Sequence, residues 1–259
     1  MAAGEGPLKG KLIMAKKVSK RKKPNKDDFL LKERFKVESE VFDRSTLLSL
    51  SKLIGKGILG TIENPISTGK EANVFRATTP GGDYIAVKIY KMETTKFMRR
   101  SEYLEGDPRF RKFKRSEQEF VYAFAQKEYK NLELCSKAKV RAPKPLLQTK
   151  NILVLEFLGE DGLPYTPLNV LGPESMDQLK SILLDVRKMY RAGLVHSDLS
   201  EYNILVGPKP YIIDFGQGVV LSHPNAEKYL ERDVKNIVKY FAKHGFVMDE
   251  KEALAYVKS

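Results

Sequence analysis

Two acids and an amide sit close together late in the chain, in "HSDLSEYNIL" (196–205) and "IIDFG" (212–216). Asp198 and Asn203 lie on one short segment, and Asp214 closes an apolar run. A long amphipathic stretch precedes them over 174–192, where Met176, Leu179, Leu183, Val186 and Tyr190 recur at helical spacing. Gly193 stops that pattern. Any fold of this chain must therefore bring a loop after a helix to the end of a short buried strand. Two acids and an amide in that order suggest a site for Mg²⁺ and a phosphate.

Upstream the hydrophobic period changes twice. Residues 36–58 read as helical, with Ser45 as the N-cap candidate of "STLLSLSKLIGKG" and glycines at its end. "GTIENPIS", "NVFRATT" and "YIAVKIY" then read as strands, with "PGGD" as a hairpin turn between the last two. Alternation in "YIAVKIY" puts Lys88 on one face with the small Ala86, leaving room for a flat ligand. A helix is expected at 116–138, where Ser116 and Glu119 fit a capping box. On it Phe120, Phe124, Glu128 and Leu132 share a face, and an acid within an apolar stripe needs a partner. "PLLQTKNILVLEFLGEDG" reads as a hairpin, and helices at 226–244 and from Asp249 finish the chain.

The fold class that follows is α+β: a β-rich N-lobe with one key helix, then a mainly helical C-lobe. The expected divisions are a basic tail at 1–35, N-terminal helices at 36–58, an N-lobe at 59–158 and a C-lobe at 159–259. The net charge of +13 is unevenly placed, since residues 1–26 hold nine Lys/Arg against one Glu. That tail is predicted to be disordered and to follow the phosphate backbone of RNA. A second basic stretch, 96–116, has eight Lys/Arg against three acids and is predicted to be a flexible loop. A single cysteine, Cys135, rules out an internal disulfide framework and reads as a core residue. With no apolar run long enough to cross a bilayer, the expected address is cytoplasmic.

The residues that carry chemistry fall in chain order. "STGKEANVF" (67–75) joins two strands rather than opening a helix, so it is not a P-loop, although its amides and hydroxyls could cover phosphates. Lys88 and Glu128 can pair to hold the lysine over a nucleotide. Asp198 can take the proton of an acceptor hydroxyl, while Asn203 and Asp214 offer oxygens to a metal. His196 is read as a support for its loop and Tyr202 as packing.

This ordered set resembles the RIO family of atypical serine protein kinases, in particular its first subfamily. The likeness covers about residues 40–245 and rests on "STGKEANVF", "AVKIY", "HSDLSEYNIL" and "IDFGQ". It implies a two-lobed protein-kinase-like fold that uses ATP with Mg²⁺, or Mn²⁺ in its place. Asp198 becomes the catalytic base, Asn203 and Asp214 the metal ligands, and Lys88 the phosphate-binding lysine paired with Glu128. The Glu156 carbonyl and Leu158 amide are expected to hold the adenine edge beside Leu155, with Ser67 and Lys70 facing the triphosphate. The family also implies an aspartyl-phosphate on Asp214, ATPase turnover, and action on the maturing small ribosomal subunit and its RNA.

Three features depart from ordinary kinases. Ser197 stands where an arginine would dock a phosphorylated activation loop, and Ser200 where many kinases carry a lysine. A helix is expected within about ten residues of Gly216, so there is little activation loop to dock. Only 43 residues follow Gly216, with no "APE" motif, so the C-lobe is expected to lack the usual peptide-binding helices. Ser101 and Ser116, in the basic loop, are the candidate autophosphorylation sites. Two other readings stay open: a catalytically weak nucleotide-binding scaffold for RNA, and a small-molecule phosphotransferase. The complete set Lys88, Asp198, Asn203 and Asp214 argues against the first, and the strongly basic chain against the second.

Overall fold

The computed structural model describes residues 42–92, 101–110 and 116–259. The expected basic tail, and the start of the expected N-terminal helices through residue 41, lie outside the described residues. The first described helix, α1 (Arg44–Gly55), is capped by Asp43 rather than by Ser45. The Asp43 carboxylate accepts from the amides of Ser45 at 2.9 Å and Thr46 at 3.1 Å. Its backbone is extended while Ser45 is already helical, and an N-cap needs the extended conformation.

Five antiparallel strands follow: β1 (Ile62–Thr68), β2 (Ala72–Thr78), β3 (Tyr84–Tyr90), β4 (Pro145–Thr149) and β5 (Ile152–Glu156). Their order across the sheet is β1-β2-β3-β5-β4, so β3 is central, with Lys88 opposite Val74 on β2 and Leu153 on β5. The two faces of β3 are buried against different things. Ile85, Val87 and Ile89 join Leu50 and Leu53 of α1 in one apolar cluster. Ala86 belongs instead to the core that continues into the helical lobe.

Helix α2 (Glu117–Lys137) starts at Ser116, whose hydroxyl accepts from the Glu119 amide at 3.3 Å. It buries Phe120, Phe124 and Leu132, and among them three polar side chains, Lys127, Glu128 and Asn131. Residues 101–110 depart from the flexible basic loop expected over 96–116. They form a helical turn (Glu102–Glu105) and a 3₁₀ turn (Pro108–Phe110), with Tyr103, Leu104 and Phe110 buried. Asp107, fully buried, accepts from the Arg109 guanidinium at 2.7 Å. Three apolar anchors and an internal ion pair outweigh the basic average; residues 93–100 and 111–115 lie outside the described residues.

In the second lobe, α3 (Met176–Arg191) is capped by Ser175 and packs Leu179, Ile182, Leu183 and Val186 against α4 (Ala226–Ala242) and α5 (Glu250–Lys258). Two small antiparallel ladders frame the segment between α3 and α4. Leu194–Val195 pairs with Val219–Val220, and Ile204–Val206 pairs with Pro210–Ile212. The residues 196–203 therefore leave one ladder and enter the other, while Asp214 emerges where the second ends. Among the described residues, no helix is long and apolar enough to cross a membrane.

Candidate active site

A cleft of about 600 Å³ opens between the lobes, with Lys88 of β3 and its partner Asp214 on one wall and Asp198 and Asn203 on the other. Ser67, Lys70, Glu128, Leu155, Glu156 and Leu158 also line it. Ser101 and Ser116 are not among its lining residues; the Ser101 carbonyl starts the 102–105 turn, and the Ser116 hydroxyl caps α2.

The Lys88 ammonium is 2.9 Å from Glu128 Oε1 and 2.8 Å from Asp214 Oδ1. Glu128, on the apolar stripe of α2, has the partners its burial requires. Besides Lys88 it accepts from the Tyr90 hydroxyl and from the Phe215 amide at 3.2 Å. Burial works against the Lys88 charge, yet the carboxylates of Asp214 and Glu128 outweigh it and raise the lysine above its usual range. Lys88 is therefore a fixed cation at neutral pH.

The opposite wall is fixed through its backbone. Asp233 on α4 accepts from the amides of Ser197 at 2.7 Å and Leu199 at 3.0 Å, and Arg232 donates to the Ser197 carbonyl. Burial pushes the Asp233 carboxyl up to about 7, partly opposed by those two amide bonds. The clamp holds Ser197 at φ +65°, a left-handed conformation costly for a residue with a side chain. Asp214 is also left-handed, at φ +64°. His196 bonds the Ile213 carbonyl at 2.9 Å through Nε2 and packs edge-on to Phe215, tying the two segments together. Tyr202 is 64% exposed on the cleft rim, so the packing role expected for it is not observed.

Asn203 donates its amide nitrogen to the Asp198 carbonyl at 2.8 Å, which directs its amide oxygen away from that carbonyl. Together with Asp214, whose side chain is 51% exposed, it offers hard oxygens that a metal could use. No group of three or more His, Cys, Asp or Glu is assembled among the described residues. A sparse oxygen set fits Mg²⁺, which draws its other ligands from water and phosphate. Two residues here were not predicted. Asp233 lies at fourfold spacing between Tyr229 and Ile237, an acid on an apolar stripe like Glu128, and that signal could have found it. Gln217 is the other; its side chain reaches Asp198.

A five-stranded antiparallel lobe, a buried lysine–glutamate pair and an Asp-x₄-Asn loop facing Asp-Phe-Gly define the protein-kinase class. Comparison with known proteins narrows this. Residues 73–253 match the RIO domain, and the chain belongs to that atypical kinase family. It is 39% identical over 239 residues to the RIO-type serine/threonine-protein kinase Rio1 of Haloferax volcanii, covering 89% of this chain and 82% of that one. The Rio1 kinase of Methanocaldococcus jannaschii is 38% identical over 87% of this chain and 78% of its own. The human serine/threonine-protein kinase RIO1 is 37% identical over 84% of this chain but only 40% of its own length. Among solved structures, the ADP/Mg²⁺-phosphoaspartate complex of the Chaetomium thermophilum Rio2 kinase shares the fold, with a TM-score of 0.60 and 22% identity over 83% of this chain and 67% of that one.

Proposed function

We propose that this chain is an ATP- and Mg²⁺-dependent serine/threonine protein kinase with ATPase turnover, acting in maturation of the small ribosomal subunit. The observation that carries the catalytic part is Lys88 held at once by Glu128 and Asp214, with Asp198 on the facing wall. On this reading Lys88 grips the nucleotide phosphates, and Ser67 and Lys70 flank the triphosphate. Glu156, at the end of β5, and Leu158 just beyond it meet the adenine. Mg²⁺, or Mn²⁺ in its place, would be held by Asn203 and Asp214 and would offset phosphate charge.

Asp198 accepts the proton of a serine hydroxyl as that oxygen bonds the γ-phosphorus. The bond to the β–γ bridging oxygen breaks and ADP leaves. A carboxylate acceptor needs no such base. Asp214 can take the phosphoryl group directly and release it to water, which gives ATPase turnover. The phosphoaspartate in the related Rio2 kinase complex supports that branch. Ser101 and Ser116 remain the proposed autophosphorylation sites, and phosphorylating Ser116 would require releasing the α2 cap. The basic tail and loop supply the proposed contact with pre-ribosomal RNA, and the proposed setting is the cytoplasm.

The test is transfer from γ-labelled ATP with Mg²⁺ by the wild type and Asp198→Asn, with the adduct's acid stability recorded. Acid-stable label lost in Asp198→Asn supports serine transfer, and acid-labile label or free phosphate supports the aspartyl route. Tight nucleotide binding with neither product would favour the scaffold reading instead.

A further inference from the structure

We infer that Gln217 is a positioning residue for Asp198, presented by a turn that α2 locks in place. The inference rests on the reading of Asp198 as the base for transfer to a hydroxyl. Gln217 is 7% exposed, and its amide nitrogen donates to Asp198 Oδ2 at 2.7 Å. It sits in the turn 215–218, closed by the Gly218 amide donating to the Phe215 carbonyl at 3.1 Å.

The turn is held by two side chains of α2, one helical turn apart. Asn131 donates to the Phe215 carbonyl at 2.9 Å and to the Gly218 carbonyl at 2.8 Å. Lys127 donates to the Gly216 carbonyl at 3.2 Å and also to the Gly218 carbonyl. The approach is close on both sides of Gln217. A Cβ at Gly216 would lie 2.7 Å from the Phe124 ring, and one at Gly218 2.9 Å from the Asn131 amide. Gln217 thus has fixed neighbours on each side and a fixed target for its amide.

A neutral amide suits this task. It sets the plane of the Asp198 carboxylate and occupies one oxygen, without the charge by which a lysine or arginine there would weaken a base. The same helix that supplies Glu128 to Lys88 therefore also orients the base across the cleft, through Asn131, the turn and Gln217. With so short a link between Gly216 and α4, this turn performs the ordering that a longer loop would otherwise have to provide.

The experiment uses Gln217→Met, which keeps the volume and removes the amide, and Gln217→Ala beside it, each in the full chain. Phosphoryl transfer to a serine acceptor is measured with the KM for ATP and the thermal midpoint. Gln217→Met should lower kcat by about 10–100-fold with KM and midpoint unchanged. In an Asp198→Asn background the same change should have no further effect on residual turnover, because Gln217 acts through Asp198. An unchanged kcat in Gln217→Met overturns the inference, as does an undiminished loss in the double variant. If Asp198→Asn alone transfers at the wild-type rate, it is the assignment of the base that fails. Gln217→Ala tells packing from positioning: a fall in midpoint confined to Ala, with kcat lost in both, supports positioning.

Discussion

On one wall of the cleft Lys88 is fixed by charge, through the side chains of Glu128 and Asp214. On the other, the loop carrying Asp198 and Asn203 is fixed by its main chain, through Asp233 and Arg232. The difference matters for what a ligand can disturb. The Lys88–Asp214 contact uses atoms that phosphate and metal would compete for, so that wall is built to exchange partners. The Asp233 clamp touches only buried backbone groups, so it holds the loop around Asp198 without using any atom that a ligand would compete for. A buried carboxylate that accepts two amides orients a loop without spending any side chain that faces the substrate.

The largest expected effect tests the exchanging wall. Asp214→Ala should lower phosphoryl transfer by about 10³-fold or more, since it removes a proposed metal ligand and one of the two carboxylate partners of Lys88. The side chain is half exposed, so the thermal midpoint should change little. A variant that transferred phosphate normally would remove Asp214 from the chemistry. One that unfolded would show that this wall, too, is structural.

The next effect is on the preformed wall. Asp233→Ala leaves the buried amides of Ser197 and Leu199 without their acceptor and removes the clamp on a left-handed Ser197. The expected loss is about 3 kcal/mol of folding stability, read from a denaturant midpoint. Activity should fall with it, while affinity for ADP, which the proposed function assigns to the Lys88 wall, should stay within a few-fold. Equal losses of ADP affinity in Asp233→Ala and Lys88→Met would mean that the two walls are not separable, and the comparison would fail.

The contrast also explains what the sequence made legible. Lys88, Glu128, Asp198, Asn203 and Asp214 are readable because each breaks a local pattern: a charge in an apolar strand or stripe, or polar groups closing one. The strand and helix periods place them within two residues of the observed elements. Gln217 and Asp233 act on residues 19 and 34–36 positions away, and only packing brings them there. The 96–116 stretch misled for another reason. Its average charge concealed Tyr103, Leu104 and Phe110, three anchors that decide the structure of 101–110. At α1, Asp43 and Ser45 are both good caps by composition, and backbone conformation rather than residue type chose between them.

The smallest effect concerns the link between the walls. His196 is 1% exposed, and its Nδ1 has no hydrogen-bond partner among the described residues. Burial lowers its pKa from the ordinary 6.5 to about 4, so the folded protein holds the ring neutral. The unfolded chain protonates first as pH falls, and the folded state cannot follow until about pH 4. Stability linked to His196 is therefore complete above about pH 6.5 and declines as pH drops from there toward 4. Between pH 7.5 and pH 5 the expected loss is about 2 kcal/mol. His196→Gln cannot titrate, and its amide can still donate to the Ile213 carbonyl. Its denaturant midpoint should consequently fall less than that of the wild type over the same interval, by an amount equal to that loss. Parallel pH profiles for the two proteins would mean that His196 is accessible to protons in the folded state. The joint between the walls would then be looser than its burial indicates.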